Sequence, residues 1–344
     1  MVDRLRTPRR SAQRPFFMCA GCDIIKEERS KRMDIHLKSY AKINLSLDVK
    51  GVTSEGMHLV EMVMQQILLC DEIAMGWTPA AETEADGLQI SLKTNRRYLP
   101  TDERNLAYKA ALVMREIYGS DISGKLNINI RKRIPVAAGL AGGSGNGAAA
   151  LHALNVLWGM DLSLKELCEA GARLGSDVPF CVMGQAAENA ELKERFAGDP
   201  LASHCALATG TGTDLEPLKG LVSHMVLSKP SISVSTAKVY QGIDSTVIPQ
   251  RPNTAELIEG LKTRDTARIE KNMVNVLENY TLKEYSVVVY TKNKMQELCP
   301  GRAVLMSGSG PSVYGLTDSI KESRRICSEM ARINRESFWT RTTY

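Results

Sequence analysis

Apolar and polar residues alternate along residues 34–50 with few errors, which is the spacing of a β-strand with one face in a core. We predict two strands here, with a break near Ser39 and Tyr40. Lys42 and Asn44 are two positions apart, so they point to the same polar side. The apolar positions on the opposite side are Ile35, Leu37, Ala41, Ile43, Leu45, Leu47 and Val49.

The remaining pattern predicts further strands and helices with no internal repeat, which is an α+β arrangement in two halves. Ser163 and Glu166 have the spacing of a capping box that opens a helix, and Gly175 closes it. Strands are predicted near 59–69, 72–77, 88–93, 126–130, 225–227 and 303–306, and helices at 105–118 and 148–157.

A glycine-rich segment at residues 135–147 reads PVAAGLAGGSGNG and lies between a predicted strand and an apolar helix. This order places free backbone N–H groups at a helix N-terminus, where they and the helix dipole favour a bound anion. Gly139, Gly142, Gly143 and Gly145 have no Cβ to obstruct a close approach. The segment predicts a phosphate-binding loop, and the alternative is a flexible connection between strand and helix.

Two familiar nucleotide-binding signatures do not fit this loop. It lacks the Gly-Lys-Ser/Thr ending of a Walker A loop, so it supplies no lysine to the phosphates. It contains G-x-G-x-G rather than G-x-G-x-x-G, and more than a hundred residues precede it. A dinucleotide-binding fingerprint normally follows the first strand of its domain, so that class is disfavoured.

Length and composition are those of an ordinary globular enzyme. The 344 residues are 43% hydrophobic and 24% charged, and a chain of this length should divide into two domains. No apolar run approaches the ~18 residues that a membrane span needs, so we expect a soluble protein with no membrane partner. Aromatic residues make up only 5%, and no stacking platform for single-stranded nucleic acid is evident.

The net charge of +5 belongs to the N-terminal residues 1–32. They carry nine Lys and Arg against four acidic residues, which leaves 35 basic residues (44 less nine) and 35 acidic residues (39 less four) elsewhere. A neutral body argues against nucleic acid as the main partner. We expect the basic N-terminal extension to be disordered, and its alternatives are a targeting segment or an upstream extension before a start at Met33.

The cysteines fit a reducing compartment. Cys19 and Cys22 form a C-x-x-C pair in the extension, but no second pair follows, so we expect no zinc site and no metal ligands of this kind. The other six are scattered among apolar residues, as expected of buried thiols in the cytoplasm.

Two later segments stand out. Residues 176–180 read SDVPF after a glycine stop, which holds Asp177 on a constrained turn. Residues 188–206 are polar, rich in charge and without periodicity, and they predict an inserted surface loop.

Four stretches together supply the parts of a phosphoryl-transfer site. Such a site needs a phosphate cradle, a base for the attacking hydroxyl, and positive charge near the transferred group. The glycine loop, Asp177 and Lys42 match those needs, although a strand lysine is usually a solvated residue and an aspartate after a helix is usually a turn residue. The four stretches are 41–44 (AKIN), 135–147, 175–179 (GSDVP) and 307–310 (SGSG).

In their order and separation these motifs resemble the GHMP kinase superfamily from about Met33 to the C-terminus. Within it the chain is similar to the branch that phosphorylates cytidine-diphosphate-linked methylerythritol in non-mevalonate isoprenoid synthesis. Further supporting stretches are 56–58 (GMH), 64–65 (MQ), 105–106 (NL), 234–236 (VST) and 306–312 (MSGSGPS). The resemblance implies an extension at 1–32, a ribosomal-protein-S5-domain-2-like domain at 33–210 and a ferredoxin-like domain at 211–344.

The resemblance also implies roles for particular residues, with ATP and Mg²⁺ as cofactors and the cytidine compound as the small-molecule substrate. Asp177 is the expected base for the C2 hydroxyl, and Lys42 keeps it ionised. The expected ATP-binding residues are Asn105, Pro135, Val136, Ala137, Ala138, Gly139, Leu140, Ala141, Gly142, Gly143, Ser144 and Gly145. The expected substrate-binding residues are Asn44, His58, Thr236, Tyr240, Ser307, Gly308, Ser309 and Gly310.

The chain departs from the pattern of this branch at several positions. Met57 replaces a tyrosine that would stack on cytosine, which predicts weaker substrate binding. Gly147 replaces alanine in the first turn of a helix, and residues 188–206 interrupt a normally short connection. The alternatives are a GHMP kinase with a different alcohol substrate and an S5-like RNA-binding protein.

Overall fold

The computed structural model describes residues 32–80, 87–119 and 121–344. The basic extension up to residue 31, including its C-x-x-C pair, lies outside the described residues. The strands are β1 (Met33–Val52), β2 (His58–Pro79), β3 (Leu88–Thr94), β4 (Gly124–Arg131), β5 (Cys205–Thr209), β6 (Asp214–Leu218), β7 (His224–Lys229), β8 (Val304–Met306), β9 (Val313–Thr317) and β10 (Glu336–Arg341).

Helices alternate with these strands and cover the sheets. They are α1 (Leu106–Tyr118), α2 (Gly142–Leu157), α3 (Leu164–Ala172), α4 (Val178–Glu188), α5 (Ala190–Lys193), α6 (Thr236–Ile243), α7 (Thr254–Thr263), α8 (Thr266–Lys271), α9 (Glu278–Glu284), α10 (Ser286–Leu298) and α11 (Ile320–Ala331). Ser163 and Glu166 form the predicted capping box of α3. None of the described helices is long and apolar enough to cross a membrane.

Strand β2 is the centre of a six-stranded sheet. It pairs antiparallel with β1 along nearly its whole length, with β4 through its second half and with β5 through Met62–Gln65. Strand β3 adds to β4 in parallel, and β6 adds to β5. The β5–β6 hairpin spans residue 210, so the first sheet extends beyond the predicted domain boundary; the division into domains stays a prediction.

Strand β1 is continuous where the sequence predicts two strands. A β-bulge between Tyr40 and Ala41 takes the place of the predicted break. Leu68 and Leu69 of β2 have no partner on β1 at this bulge, and the β1 side chains before and after it lie on different faces. Leu37 therefore packs in the core beneath the helices, whereas Ala41 and Ile43 pack in a cluster with residues of the second sheet.

The bulge also changes the outcome for the polar face of β1. Lys42, Asn44, Ser46 and Asp48 are all buried, because both faces of this strand segment are covered. The sequence predicts only that the apolar face lies in a core; in the structure the polar face of this segment is buried as well. Buried polar groups need hydrogen-bond partners, and a ligand can supply them. We therefore expect a functional site on the polar face of β1.

The second sheet has four antiparallel strands in the order β10, β7, β9, β8. Its apolar residues share buried clusters with the first sheet; for example, Leu227 and Tyr314 cluster with Ile43 and Leu45. Tyr314 also donates a 2.9 Å hydrogen bond to the carbonyl oxygen of Asn44. The two halves are thus joined directly behind the polar face of β1.

Residues 188–206 are not the plain surface loop that the sequence predicts. Helix α4 continues to Glu188, the short helix α5 follows, and Leu192 and Phe196 are buried in the first core. These two residues are four positions apart, a spacing that places them on one helical face. The charged residues between them hide this spacing in the sequence. Asn189 fixes the segment, because its side chain accepts from the Lys38 N–H at 2.8 Å and donates to the Lys38 carbonyl at 2.9 Å.

Candidate active site

The four motifs that the sequence singles out meet around one cavity of about 840 Å³. Its walls come from β1, the loop before α2, the start of α4, helix α6 and the loop after β8. Predicted site residues at its surface are Lys42, His58, Asn105, Pro135, Val136, Ala137, Ala138, Gly139, Leu140, Ala141, Gly142, Gly143, Ser144, Asp177, Thr236, Tyr240, Gly308 and Ser309.

The glycine loop opens α2 without any side-chain cap. Ala141 is the N-cap residue, has a φ of 53° and offers no side-chain acceptor to the first turn. The first N–H groups of a helix have no partner inside the helix, so here they remain available to a ligand. Gly143 has room for such a ligand, since the nearest atom to a Cβ built there is 3.9 Å away. The loop therefore has the geometry of a phosphate cradle.

The two halves of the chain approach each other so closely at residue 139 that only glycine fits there. Its φ is +71°, and a Cβ at this position would lie 2.1 Å from the carbonyl oxygen of Ser307. Ser307 in turn donates a 2.8 Å hydrogen bond from Oγ to the Gly139 carbonyl. The loop at 307–310 is thus locked onto the glycine loop.

Lys42 and Asp177 face each other across the cavity wall. Lys42 Nζ is 3.6 Å from Asp177 Oδ1, and their side chains are 5% and 33% exposed. Asp177 is the N-cap residue of α4, yet its side chain makes no capping hydrogen bond, so the carboxylate is free to face the cavity. The carboxylate therefore lies beside the Lys42 ammonium at the N-terminal, positive end of the α4 dipole.

Asn44 lies beneath Lys42 rather than at the cavity surface. It is fully buried, its Oδ1 accepts a 2.8 Å hydrogen bond from Lys42 Nζ, and its Nδ2 approaches Met62 Sδ at 3.2 Å. This arrangement fixes the direction of the ammonium. It makes Asn44 a positioning residue for Lys42.

Three other predicted site residues also point away from the cavity. A Cβ on Gly145 would lie 2.7 Å from Ser39 Oγ, so this glycine allows α2 to pack on β1. Ser307 and Gly310 are buried within the loop after β8. Asn105 reaches the cavity but uses its amide locally, accepting from the Ala107 N–H at 3.1 Å and donating to the Pro100 carbonyl at 2.9 Å.

Two aromatic rings, those of His58 and Tyr240, line the same cavity as the glycine loop. The rings of His58 and Tyr240 are 5.0 Å apart between centroids and tilted by 47°. His58 Nε2 is 2.9 Å from Asp244 Oδ1, and because a carboxylate accepts, Nε2 is the donor; in the neutral tautomer with this donor, Nδ1 is an acceptor. Met57 is next to His58 on the cavity wall and is half exposed.

Thr236 and Ser309 form a polar contact on the cavity wall. Their hydroxyl oxygens are 2.9 Å apart, and both residues line the cavity. Burial raises the pKa of the nearby Tyr240 phenol, and the negative charge of Asp177 adds to that rise. Tyr240 is therefore a neutral ring at physiological pH, suited to stacking.

The sequence reasoning missed a buried charged network under the glycine loop. Lys132 binds Asp71, donates to the Gly142 carbonyl at 3.2 Å and donates to Asn146 Oδ1 at 3.0 Å. Asp71 also accepts the backbone N–H groups of Arg133 and Ile134 at 2.7 and 2.8 Å. Burial lowers the pKa of Lys132 against the opposing effect of Asp71. The available signal was a lysine three residues before the loop.

Groups of three or more side chains able to hold a metal ion are absent from the described residues. Mg²⁺ in phosphoryl-transfer sites is commonly held by one or two protein groups together with the phosphates of the nucleotide. Asp177 and the hydroxyl of Ser144 face the same cavity as the loop, so the donor set fits an ion that arrives with the nucleotide.

Comparisons with known proteins agree with this geometry. The family model described as "GHMP kinases N terminal domain" matches residues 105–185, and "GHMP kinases C terminal" matches residues 257–335. A 4-diphosphocytidyl-2-C-methyl-D-erythritol kinase of Alkaliphilus metalliredigens is 44% identical over 283 residues, covering 82% of this chain and 87% of the relative. Its counterpart in Alkaliphilus oremlandii is 40% identical over 310 residues, covering 90% and 96%.

A solved structure supports the same assignment. The crystal structure of a 4-(cytidine 5′-diphospho)-2C-methyl-D-erythritol kinase superposes with a TM-score of 0.69 at 25% identity, covering 90% of this chain and 100% of that chain. The predicted α+β class and GHMP kinase fold are confirmed. The chain belongs to the 4-diphosphocytidyl-2-C-methyl-D-erythritol kinase family of the GHMP kinases.

Proposed function

We propose that the chain transfers the γ-phosphoryl group of ATP to the C2 hydroxyl of 4-(cytidine 5′-diphospho)-2-C-methyl-D-erythritol, a step of non-mevalonate isoprenoid precursor synthesis. The observation that carries this proposal is the Lys42–Asp177 pair, 3.6 Å apart, in the cavity that contains the uncapped glycine loop. Curated relatives at 38–44% identity over most of the chain have this activity in their names.

Asp177 is the base in this proposal. The C2 hydroxyl oxygen attacks the γ-phosphorus, its proton passes to the Asp177 carboxylate, and the bond between the γ-phosphorus and the bridging oxygen breaks to release ADP. Lys42 stabilises the negative charge that develops on the attacking oxygen. Asn44 holds the Lys42 ammonium in place through its 2.8 Å hydrogen bond.

The glycine loop is the proposed site for the ATP phosphates. N–H groups at the start of α2 face the cavity, and Gly143 leaves space that a side chain would fill. Mg²⁺ bound with ATP would neutralise phosphate charge, and Ser144 is the hydroxyl of the loop positioned to assist. Asn105 caps α1 at the wall of the same cavity and would lie near the nucleoside.

His58 and Tyr240 are the proposed cytosine site. Because His58 Nε2 donates to Asp244, its Nδ1 accepts, and the exocyclic amino group of cytosine is a matching donor. Uracil presents a carbonyl oxygen at that position, so the same nitrogen would meet an acceptor. Tyr240 supplies a stacking surface, and Thr236 and the 307–310 loop close over the sugar-phosphate part.

Each of the two alternative functions would require different features of the molecule. A kinase for another alcohol would keep the glycine loop and Asp177 but would have no use for His58 held by Asp244. An S5-like RNA-binding protein would need a basic surface on a body that is neutral outside the N-terminal extension. We further propose a cytoplasmic location, since the cysteines of the described residues are free thiols.

The experiment that tests the substrate has two parts. ADP release is measured with the cytidine-linked methylerythritol, homoserine and galactose as acceptors, and turnover is expected with the first alone. Calorimetric titration is expected to detect cytidine diphosphate but not uridine diphosphate, and to lose this preference in His58→Ala. His36→Ala, on an exposed part of β1, is the matched control. Equal turnover of homoserine, or equal binding of the two nucleotides, would overturn the proposed substrate.

A further inference from the structure

A second recess, of about 660 Å³, lies between the ends of the two sheets and shares only Lys132 with the active-site cavity. Its lining is strongly basic. The charged residues that line it are Arg96, Lys132, Arg133, Lys229, Arg335 and Glu336.

The first sheet brings Arg96 and Arg133 together. Strands β3 and β4 run in parallel to the pair Thr94 and Ile130, so the chain leaves both strands at the same edge. Asn95 then binds both backbone groups of Lys132, accepting from its N–H at 2.8 Å and donating to its carbonyl at 3.2 Å. Arg96 directly follows Asn95, and Arg133 directly follows Lys132. This pair of hydrogen bonds therefore brings both arginines to the same end of the first sheet.

The second sheet supplies the opposite wall. Glu336 is the register partner of Lys229, whose buried ammonium is 3.1 Å from the Glu336 carboxylate. Arg335 precedes Glu336 and therefore lies at the same edge. Ser231 and Ser233, in the connection after β7, add two hydroxyls to the lining.

The two lysines that line this recess have acidic partners, whereas the guanidinium groups of its three arginines have none among the described residues. Lys132 is neutralised by Asp71 and Lys229 by Glu336. The guanidinium groups of Arg96, Arg133 and Arg335, all exposed residues, form no ion pair or hydrogen bond with any residue in the ranges 32–80, 87–119 and 121–344. The carboxylate of this lining, Glu336, is paired with Lys229, so the three guanidinium groups around the recess repel one another and a multiply charged anion would reduce that repulsion.

The chemistry of the lining selects the class of anion. A guanidinium presents its N–H donors as a planar fork that matches phosphate oxygens, and serine hydroxyls are common additional donors. The recess is concave and of a size that ligand sites have, larger than one phosphate group requires. A ligand with two linked phosphates can reach arginines from both sheets at once.

We propose that this recess is a second binding site, separate from the active-site cavity, for a small molecule that carries a diphosphate group. The site is complete only where the two sheets meet, so the bound diphosphate bridges them. Either inorganic diphosphate or a diphosphate ester has the required group, and the two are compared directly in the test.

The test is calorimetric titration of the full-length chain with inorganic diphosphate in the presence of EDTA, and then with methyl diphosphate. Wild type is expected to bind at least one of them. The double variant Arg133→Gln/Arg335→Gln should weaken that binding by about tenfold or more, the scale of losing charge-assisted hydrogen bonds. The matched control is Arg131→Gln/Arg332→Gln, whose arginines are in the same segments but pair with Glu72 and Glu329.

A second readout separates this site from the ATP phosphates. Because the altered arginines lie outside the main cavity, KM for ATP should change by less than about twofold in the double variant while diphosphate affinity falls. Equal diphosphate binding by wild type and the double variant would overturn the proposal, as would a parallel loss of ATP affinity. An RNA oligonucleotide that displaces diphosphate and loses affinity in the same variant would also overturn it, by assigning the recess to nucleic acid.

Discussion

Ser307 donates a 2.8 Å hydrogen bond from Oγ to the carbonyl oxygen of Gly139, and it lies so close that no side chain fits on that glycine. These residues are 168 positions apart and belong to the two halves of the chain. The shape of the phosphate cradle is therefore set partly by the C-terminal half. Asn275 supports this contact, since its Nδ2 donates to the Met306 and Gly308 carbonyls at 2.8 Å each.

Gly139→Ala should destabilise the fold and disorganise the cradle. A φ of +71° costs an alanine ~1–3 kcal/mol, and the overlap with Ser307 adds to this. Urea unfolding should show a lower midpoint. Gly143→Ala is the matched control: its Cβ meets nothing within 3.4 Å, so stability should be kept while ATP affinity falls because the methyl group enters the cradle. Equal stability of Gly139→Ala and wild type would contradict the close contact.

Met57→Tyr should strengthen substrate binding. Met57 is half exposed on the cavity wall beside His58, where a tyrosine ring would stack on cytosine more strongly than a thioether. Aromatic pairs contribute ~0.5–1.5 kcal/mol, so KM for the cytidine substrate should fall by about two- to tenfold with KM for ATP unchanged. A fall in both KM values, or in neither, would place Met57 outside the cytosine site.

The fold should lose stability on acidification, in part through His152. Burial lowers the pKa of this histidine to about 4, and its Nε2 is 3.0 Å from the Val182 carbonyl. Between pH 6.5 and about pH 4 the unfolded chain binds a proton there that the folded chain does not, so the free energy of unfolding decreases as the pH falls through this range. The full effect is ~3 kcal/mol.

Urea unfolding at pH 7 and pH 5 measures this contribution. His152→Gln should lose less stability between the two values than wild type does, and His36→Gln, which alters an exposed histidine, should match wild type. Burial lowers the pKa of His204 in the same direction, so the comparison of variants, rather than the wild-type curve, isolates His152. An unchanged pH dependence in His152→Gln would show that residue 152 does not titrate on unfolding.

Local patterns in the sequence were sufficient for most strands, for the capping box at Ser163 and for the motifs around the cavity. They failed where a contact spans distant parts of the chain. The bulge after Tyr40 leaves the alternation intact yet exchanges the faces, so periodicity alone cannot reveal it. Charged residues in 188–206 conceal the buried pair Leu192 and Phe196.

Local sequence patterns also fail to predict those parts of the candidate site that depend on contacts between distant residues. The predicted residues that touch the cavity belong to recognisable motifs, whereas several of the contacts that hold cavity residues in place involve distant positions outside those motifs. Lys132 depends on Asp71, 61 positions earlier, and His58 depends on Asp244, 186 positions later. Only the folded chain shows that Asn44 faces Lys42 and Met62 instead of the cavity.

Lys42 and Asp177 should behave as one unit in mutational analysis. Residues that stabilise the same transition state show non-additive effects, so a chain that lacks one member loses little more when the other is removed. The rate constant for phosphoryl transfer in Lys42→Met/Asp177→Asn should therefore lie near that of the slower single variant. Full additivity of the two effects would indicate that the ammonium and the carboxylate act independently.

Single-turnover phosphoryl transfer in Asp177→Asn tests the role of this carboxylate as the base. The rate constant should fall by roughly 10²–10⁴-fold, the scale for losing a general base, while calorimetry shows ATP binding close to that of wild type. Asp161→Asn, which alters an exposed aspartate paired with Arg195 outside the cavity lining, should transfer phosphate at the wild-type rate. An Asp177→Asn variant that transfers phosphate as fast as wild type would remove Asp177 from the chemistry and contradict the proposed mechanism.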